Sequence, residues 1–395
     1  MPWLKISSRA SRIPPSETLT VLEKVKSLMA RGYDVVRFDV GEPDFDTPGF
    51  IKEAAKKALD QGYTHYVQSR GIPELREAIA EHVSRYTGLE VDPEREVLVT
   101  PGAKFALAAA VMAVAEEGDE VLILTPEWPT YKACVLMAGA KPVEVPTKPP
   151  YRLDEEALKE AISDKARAIM INSPNNPTGG VMPLEDLRVI ADLALDHDLA
   201  VISDEIYKAL VYDGAEHVSI ASLPGMKDRT VIVDGFSKTY AMTGWRLGWA
   251  VGPKDVVSAM VKIQQASTTH PTAFAQVAGI TALRGPQGFV EEMVKEYDRR
   301  RKVMVEALNQ VEGISCERPQ GAFYVFPDFS ELGLSSQELS DRLLMEAHVS
   351  SIPGHVFGPG GEGRLRLAYT VSVNRILEGV KRIQAFVESL KKGRL

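Results

Sequence analysis

A lysine follows a short apolar run at residues 231–233, at a place where an unpaired ammonium would be costly to bury. Ser237 and Lys238 come just after this run and its turn, and Arg246 follows eight residues after the lysine. A lysine amine whose pKa is depressed by its surroundings can attack a carbonyl group. A surface loop explains Ser-Lys alone, whereas Ser-Lys followed by Gly-Trp-Arg-x-Gly is a rarer combination that indicates a function.

Other side chains suited to chemistry also follow predicted strands. Asp204 and Tyr207 come after one strand. Asn176 lies in the polar loop after another strand, and Trp128 follows a third. Because ligands of open α/β sheets bind beyond the carboxyl ends of the strands, we expect these side chains to converge. Each has an ordinary explanation when taken alone, since Asp204 would cap the next helix and Trp128 would pack.

A glycine turn leads into a helix directly after the first strand of this series. Gly102, Ala103 and Lys104 begin an alanine-rich helix, whose free N–H groups and positive dipole end suit a phosphate. Many strand–helix turns contain glycine, so this feature alone is weak. A lysine is slightly unfavourable in a first helical turn, which makes a functional reason for Lys104 more plausible.

Short apolar segments alternate with amphipathic segments from residue 97 onward. The predicted strands are at residues 97–100, 121–124, 142–145, 168–172, 200–203, 230–233 and 247–251. The predicted helices are at residues 20–31, 49–61, 104–116, 154–163, 185–197 and 254–266. Such alternation implies a mostly parallel sheet that is covered by helices on both faces.

A second region begins at about residue 287 and has a different pattern. Its long charged helix carries a basic run at residues 299–302, which we expect to be a solvated face rather than a phosphate site. The following predicted elements are a strand at 321–326, a helix at 336–348 and a strand at 363–369. The predicted parts of the chain are an N-terminal arm with part of a small domain (1–48), a large domain (49–285) and a small C-terminal domain (286–395).

Composition limits the class of protein. A length of 395 residues exceeds one ordinary core, so two domains are the default. A net charge of −8 argues against nucleic-acid binding, and no apolar run approaches the roughly 20 residues of a membrane helix. The two cysteines, Cys134 and Cys316, argue against a disulfide framework, and no secretory signal is recognisable. We expect a soluble cytoplasmic protein without a metal site.

Together these residues and motifs resemble the class I and II aminotransferases, enzymes of fold type I that hold pyridoxal 5′-phosphate (PLP). Asn-Pro-Thr-Gly, Asp-x-x-Tyr and Ser-Lys with Gly-x-Arg-x-Gly occur in the family's order, and the likeness extends from the Gly41-Glu-Pro-Asp-Phe motif through Arg366. Within the family the chain is most similar to bacterial and archaeal aspartate aminotransferases. The resemblance implies a mostly parallel sheet between helices in a large domain, a smaller α/β domain, and a homodimer with shared active sites.

The resemblance also implies cofactor roles. Lys238 would bond to the PLP aldehyde and, once released, would move a proton from the substrate α-carbon. Asp204 would keep the pyridine nitrogen protonated. Asn176 and Tyr207 would hydrogen-bond the phenolic oxygen of the cofactor, and Trp128 would stack on its ring.

For the cofactor phosphate, the resemblance implies a cradle of backbone and side-chain groups. The backbone of residues 102–104 would contribute, together with Ser237 and Arg246, because a guanidinium suits an oxyanion. Tyr66 would reach the phosphate of the neighbouring subunit.

The substrate groups implied by the resemblance carry the specificity. Arg366 would clamp the α-carboxylate with help from the backbone of Gly41, and Asn176 and Trp128 would border the substrate. In the aspartate enzymes a lysine at the position of Lys104 meets the distal carboxylate. The aromatic aminotransferases most similar to this sequence have an uncharged residue there and phenylalanine in the stacking position. We therefore predict amino transfer from L-aspartate to 2-oxoglutarate.

Alternatives remain open at this point. Aromatic, alanine-type and kynurenine aminotransferases are alternatives within the enzyme class, and a C–S β-lyase is a further one. Outside the enzymes, aminotransferase-like folds serve as ligand-sensing modules of transcription regulators. Such a protein carries a basic helix-turn-helix domain, for which the sequence before Gly41 has no room.

Overall fold

The computed structural model describes residues 4–149 and 151–392. The first three residues of the predicted arm and the last three of the predicted small domain lie outside the described residues. The strands are β1 (Val36–Arg37), β2 (Val97–Thr100), β3 (Glu120–Thr125), β4 (Lys141–Pro146), β5 (Ala166–Asn172), β6 (Ala200–Asp204), β7 (Thr230–Gly235), β8 (Gly248–Val251), β9 (Tyr324–Val325), β10 (Val349–Ser350), β11 (Ile352–Pro353) and β12 (Leu365–Ala368). The α-helices are α1 (Ser8–Arg12), α2 (Glu17–Ala30), α3 (Gly49–Asp60), α4 (Pro73–Thr87), α5 (Ala103–Val114), α6 (Thr130–Ala138), α7 (Glu155–Ala161), α8 (Leu184–Asp196), α9 (Phe236–Thr239), α10 (Lys254–Ser267), α11 (Ala273–Arg284), α12 (Gly288–Leu308), α13 (Ser336–Glu346) and α14 (Val373–Lys392).

The central sheet has seven strands in the order β2-β8-β7-β6-β5-β3-β4. Every pairing is parallel except those of β8, which is antiparallel to β2 and β7. Helices cover the sheet, and residues of β2, β7 and β8 are buried along their whole length. Burial on both faces explains the continuous β-branched runs in the sequence. The predicted mostly parallel sheet is confirmed, and its predicted strand bounds differ from the observed ones by two residues or fewer.

Two smaller sheets lie outside the central one. One has the antiparallel order β11-β12-β9, and the other pairs β1 with β10 in parallel. The strand predicted at 321–326 is reduced to β9, and the helix predicted at 336–348 ends at Glu346. The pairing of β1 with β10 joins the first segment of the chain to the C-terminal region, and the division into an arm, a large domain and a small domain stays a prediction. The boundaries at residues 48 and 285 stay a prediction.

The basic run of α12 differs from the prediction. Arg300 and Arg301 are 7% and 0% exposed, so the expectation of a solvated face is wrong for both. Nη1 of Arg300 donates to the carboxylate of Asp44 at 2.8 and 2.9 Å, and Nη2 of Arg301 lies 2.8 Å from Oδ2 of Asp213. These acids come from distant segments, and a buried cation needs such a partner. Local charge patterning does not reveal them.

No helix in the described part of the chain is both long and apolar enough to cross a membrane. Cys134 and Cys316 are buried and free. The cytoplasmic location stays a prediction from the sequence.

Candidate active site

A cavity of about 620 Å³ opens beyond the carboxyl ends of β3, β5, β6 and β7. Of the residues predicted for the site, Gly41, Ala103, Lys104, Trp128, Asn176, Asp204, Tyr207, Ser237, Lys238, Arg246 and Arg366 line it. Gly102 contacts one of them, and Tyr66 lies elsewhere. A second cavity, of about 480 Å³ and lined in part by Pro126 and Arg364, contains none of these groups. The first cavity is therefore the candidate site.

Lys238 lies in the single turn α9, directly after β7. Its Nζ atom donates to the carbonyl oxygen of Gly41 at 2.6 Å. Desolvation lowers the pKa of Lys238 from 10.5 to about 8; the carboxylate of Glu42 opposes this shift, and the charges of Arg366 and Arg246 add to it. At pH 7 about a tenth of such amines are neutral, against far fewer for an ordinary lysine. Burial thus favours the neutral form of Lys238, which is the form in which an amine can act as a nucleophile.

Asp204 ends β6 and is 2% exposed. Oδ2 accepts a hydrogen bond from the hydroxyl of Tyr131 at 2.8 Å, and Oδ1 accepts one from the N–H of Ile206 at 3.1 Å. Burial raises the pKa of Asp204 from 3.8 to about 6, and the two hydrogen bonds restrain the rise. Burial thus disfavours the carboxylate, but with a pKa of about 6 it is still mostly ionised at pH 7, and in this dry environment it can pair strongly with a cationic group.

Arg366, on β12, is 3% exposed and lies in the same cavity. Nη1 donates to Oδ1 of Asn176 and Nη2 to the carbonyl oxygen of Asp39, both at 3.0 Å. The guanidinium carbon lies 4.5 Å from the ring centroid of Tyr324. Among residues 4–149 and 151–392, no carboxylate pairs with Arg366, and its Nε has no hydrogen-bond acceptor. A buried cation without an anion is suited to receive one from a ligand.

The turn before α5 forms a second anion-binding feature. Gly102 has φ +81°, and no side chain caps the first turn of α5. A Cβ atom on Gly102 would lie 2.7 Å from Nη2 of Arg246, so the guanidinium occupies the space that the missing side chain leaves. Ala103 and Ser237 line the adjacent wall. Unpaired N–H groups at a helix N-terminus, next to a guanidinium, match the requirements of a phosphate.

Lys104 and Trp128 border the cavity together. Nζ of Lys104 lies 5.0 Å from the ring centroid of Trp128, and Trp128 meets Tyr131 edge-on at 5.8 Å between centroids. Lys104 remains exposed as a residue, yet its pKa is lowered, mainly by desolvation and also by the charge of Arg246. The ammonium of Lys104 thus lies beside Trp128 at the edge of the cavity, and no carboxylate among the described residues pairs with it.

Tyr66 does not join these groups. Its side chain is 89% exposed, and its ring meets His270 edge-on at 5.7 Å between centroids. A tyrosine in this position has no contact with the cavity of its own chain.

Comparison with known proteins identifies the family. The sequence model of the family "aminotransferase class I and II" matches residues 33–383. This chain is a class I and II aminotransferase. The aspartate aminotransferase of Pyrococcus abyssi is 46% identical over 392 residues, which cover 98% of this chain and 100% of that protein. Aromatic-amino-acid aminotransferase 2 of Thermococcus litoralis is 42% identical, with 98% and 100% covered.

A solved structure of the same family shows the same fold. The structure of aspartate aminotransferase from Thermus thermophilus with maleate is 42% identical to this chain and superimposes with a TM-score of 0.93, covering 97% of this chain and 99% of that one. The family assignment made from the motifs is therefore confirmed. The identity of the best amino donor is a separate question, because the relatives include both aspartate and aromatic enzymes.

Three residues of this aminotransferase site were missed by sequence reasoning. Tyr131 supports Asp204, as described above. Asn172 donates to the carbonyl oxygen of Asp204 at 3.0 Å and accepts from the N–H of Asn176 at 2.8 Å, so it joins two strand ends. The hydroxyl groups of Tyr207 and Tyr324 lie 2.8 Å apart. The available signal was the position of Asn172 at the carboxyl end of β5 and of Tyr131 in the helix that follows β3, whereas no local pattern indicates the partner of Tyr207.

Proposed function

We propose that this aminotransferase uses PLP to transfer the amino group of L-aspartate to 2-oxoglutarate, giving oxaloacetate and L-glutamate. The observation that carries the proposal is the buried guanidinium of Arg366, which lacks a carboxylate partner among the described residues and shares a cavity with the amine of Lys238. An α-carboxylate would supply the missing anion and would leave the α-carbon inside the cavity. The names of the P. abyssi and T. thermophilus relatives support aspartate as the donor.

The residues of the cavity fit PLP. The absence of a side chain at Gly102 leaves room for the guanidinium of Arg246 beside the uncapped first turn of α5, and this cradle of a guanidinium and backbone N–H groups suits the phosphate. Asp204 offers a buried carboxylate for a protonated ring nitrogen, and the face of Trp128 suits a planar ring. When bound, PLP withdraws electrons from the substrate α-carbon and carries the amino group between the two half-reactions.

The protein's own groups divide the remaining work. Neutral Lys238 takes the proton from the substrate α-carbon at Nζ and later returns a proton from the same atom, so one residue is both base and acid. Arg366 fixes the α-carboxylate, which orients the Cα–H bond toward that amine. The hydroxyl of Tyr207 and the carboxamide of Asn176 line the cavity and would suit the phenolic oxygen of the cofactor.

Lys104 supports a dicarboxylic substrate. Its ammonium lies at the Trp128 wall of the cavity and has no carboxylate partner among the described residues, so a distal carboxylate is a suitable ligand. The same cation would serve aspartate and 2-oxoglutarate in the two half-reactions, because both are dicarboxylates.

An aromatic amino acid is the second candidate donor. Leu19 and Leu22 of α2 line the cavity and present an apolar wall that a phenyl ring could contact. The relative from Thermococcus litoralis is named for aromatic amino acids. Lys104 would then face no anion, which makes this the weaker assignment.

A homodimer with shared sites is part of the proposal. The exposure of Tyr66 supports it, because Tyr66 and the large apolar side chains Tyr63 and Leu59, a few residues earlier in the chain, are all exposed, as suits a subunit contact. Sedimentation of the purified protein as a dimer is the expected result. Tyr66→Phe is expected to weaken PLP binding without dissociating the dimer.

The function is tested with purified protein and 2-oxoglutarate as acceptor. We expect visible absorption from bound PLP and a higher kcat/KM for aspartate than for phenylalanine. Lys238→Ala should lose the covalent attachment, measured by mass spectrometry after borohydride reduction, and nearly all turnover. Retained attachment in this variant would contradict the role of Lys238. An equal or higher kcat/KM for phenylalanine would instead contradict the assignment of aspartate as the amino donor and would leave the role of Lys238 standing.

A further inference from the structure

The segment at residues 39–41 contributes three consecutive carbonyl groups to the candidate site. The carbonyl oxygen of residue 39 accepts from Nη2 of Arg366 at 3.0 Å, and that of residue 40 accepts from Oγ1 of Thr370 at 3.2 Å. The carbonyl oxygen of residue 41 accepts from Nζ of Lys238 at 2.6 Å. One short stretch of backbone thus holds both of the cations to which the proposed function gives the main roles.

This segment lies beyond the end of regular structure. Its last contacts with a strand ladder are those of Phe38, whose N–H donates to Ser350 at 3.2 Å and whose carbonyl accepts from Ala368 at 2.8 Å. Residues 38–41 carry no helix or strand assignment. The position of the three carbonyl groups therefore depends on side-chain contacts.

Asp39 supplies the firmest of these contacts. Its side chain is 3% exposed, and its two carboxylate oxygens accept from Nε and Nη2 of Arg37 at 3.1 and 2.6 Å. Oδ1 also accepts from the hydroxyl of Ser350. Arg37 and Ser350 are partners in the register of β1 and β10, so Asp39 is attached to both strands of that pair. Paired, charge-assisted hydrogen bonds of this kind fix geometry well.

We propose that Asp39 is a positioning residue, which holds the 39–41 segment through Arg37 and Ser350 so that Arg366 meets the carboxylate of the substrate in the correct place. The inference rests on the proposed function. Arg366 and Lys238 both donate hydrogen bonds to carbonyl oxygens of the 39–41 segment. A substrate carboxylate that binds Arg366, or a reacting group that binds Lys238, competes for the same donor atoms. The contacts of Asp39 go to Arg37 and Ser350, so they do not involve the groups of Arg366 or Lys238 that a ligand would engage.

Arg37 permits a competing explanation, since it also lines the cavity and its side chain is 26% exposed. If Arg37 bound a ligand anion directly, loss of Asp39 would free its charge and tighten anion binding. If Asp39 positions the segment, loss of Asp39 and loss of Arg37 should each weaken anion binding, because the two side chains hold each other in place.

The test measures the dissociation constant of maleate, the ligand in the T. thermophilus structure, by calorimetry on cofactor-loaded protein. We expect Asp39→Asn and Arg37→Met each to raise it about tenfold, equivalent to about 1.4 kcal/mol. The double variant should bind maleate no more weakly than whichever single variant binds it less tightly. Ser350→Ala keeps the ion pair between Arg37 and Asp39 and should raise the dissociation constant of maleate about threefold. This variant provides the test if the other variants do not fold.

Asp186→Asn is the matched control. Asp186 is also buried and accepts from Nε and Nη2 of one arginine, Arg152, at 2.8 and 2.9 Å, but it does not line the cavity. Its loss should lower stability and leave the maleate constant unchanged. In kinetics, Asp39→Asn should raise KM for aspartate and phenylalanine alike, with a smaller change in kcat, because both substrates share the α-carboxylate.

Unchanged or tighter maleate binding by Asp39→Asn, or an equal effect of Asp186→Asn, would overturn the positioning role. Arg366→Lys separates this result from a failure of the proposed function. Weak binding by Arg366→Lys with normal binding by Asp39→Asn would refute the positioning role alone. Normal binding by Arg366→Lys would refute the carboxylate clamp, and the positioning role with it.

Discussion

Nζ of Lys238 lies 2.6 Å from the carbonyl oxygen of Gly41, although 197 residues separate the two in the chain. The contact links the end of a strand in the central sheet to the segment that follows β1. A side chain at residue 41 would not fit, because its Cβ atom would lie 2.5 Å from the hydroxyl of Tyr324. The absence of a side chain at Gly41 therefore lets this backbone pack against Tyr324, in the position where its carbonyl oxygen accepts from the amine.

The protonation of Lys238 should follow its environment. In cofactor-free protein, its amine should become reactive with a midpoint near the pKa of about 8, and it loses its proton as the pH rises through that value. Glu42→Gln should lower the midpoint, because the carboxylate of Glu42 favours the ammonium form. Reductive methylation at a series of pH values, read by peptide mass spectrometry, measures this. Lys159 is the internal control, since its pKa is raised by Glu155; equal midpoints for the two lysines would refute the prediction.

Tyr131→Phe should weaken PLP binding in a pH-dependent manner. The lost hydrogen bond raises the pKa of Asp204 further above about 6, so the carboxylate is neutralised at a higher pH than in the original protein. We expect the dissociation constant of PLP at pH 7 to rise about tenfold, and the difference to shrink by pH 9, where both forms are ionised. Spectrophotometric titration measures it. Tyr369→Phe removes another buried hydroxyl, at 3.1 Å from Ala322, and should leave PLP binding unchanged.

Gly102→Ala should disturb the phosphate-binding groups as well as strain the backbone. The new Cβ atom would displace the guanidinium of Arg246, and φ is +81°. Gly88 has φ +72° with ψ 4° and open space around its Cβ position, so Gly88→Ala is a control for the strain of a positive φ. Gly88→Ala should lose about 1–2 kcal/mol of unfolding free energy. Gly102→Ala should lose about 1–3 kcal/mol, because its φ of +81° with ψ of 161° lies in a region that is nearly restricted to glycine. Only Gly102→Ala should weaken binding of PLP, about tenfold in a titration; equal affinities in the two variants would refute the cradle.

Lys104→Ala should distinguish acidic from other substrates. Because Lys104 is exposed, the lost ion pair is worth about 1 kcal/mol, so kcat/KM for aspartate should fall about fivefold to tenfold. Phenylalanine, which has no distal carboxylate, should be affected little. Lys132→Ala is the control, because Lys132 pairs with Glu144 at 3.3 Å and does not line the cavity. Equal losses for both substrates in Lys104→Ala would show that Lys104 does not recognise the side chain.

The central sheet and many of the site residues follow from local patterns. Buried parallel strands need continuous apolar runs, and the loops that leave them must carry the chemistry, so Asp204 and Lys238 were identifiable from their positions after such runs. Arg366 depended on resemblance to a family, because nothing in its neighbourhood distinguishes it from Arg364, which pairs with Asp328 at 2.9 Å.

The sequence alone therefore determined which reactive residue types come at the carboxyl end of each strand along the chain. Only the tertiary structure decided their partners. Asn176 meets Arg366 across 190 residues, and Tyr131 meets Asp204 across 73. The same holds for Arg300, which pairs with Glu296 four residues earlier and also with Asp44, 256 residues away. The physical reason is that hydrophobic periodicity reports which face of an element is buried, whereas hydrogen bonds and ion pairs depend on which elements then pack together.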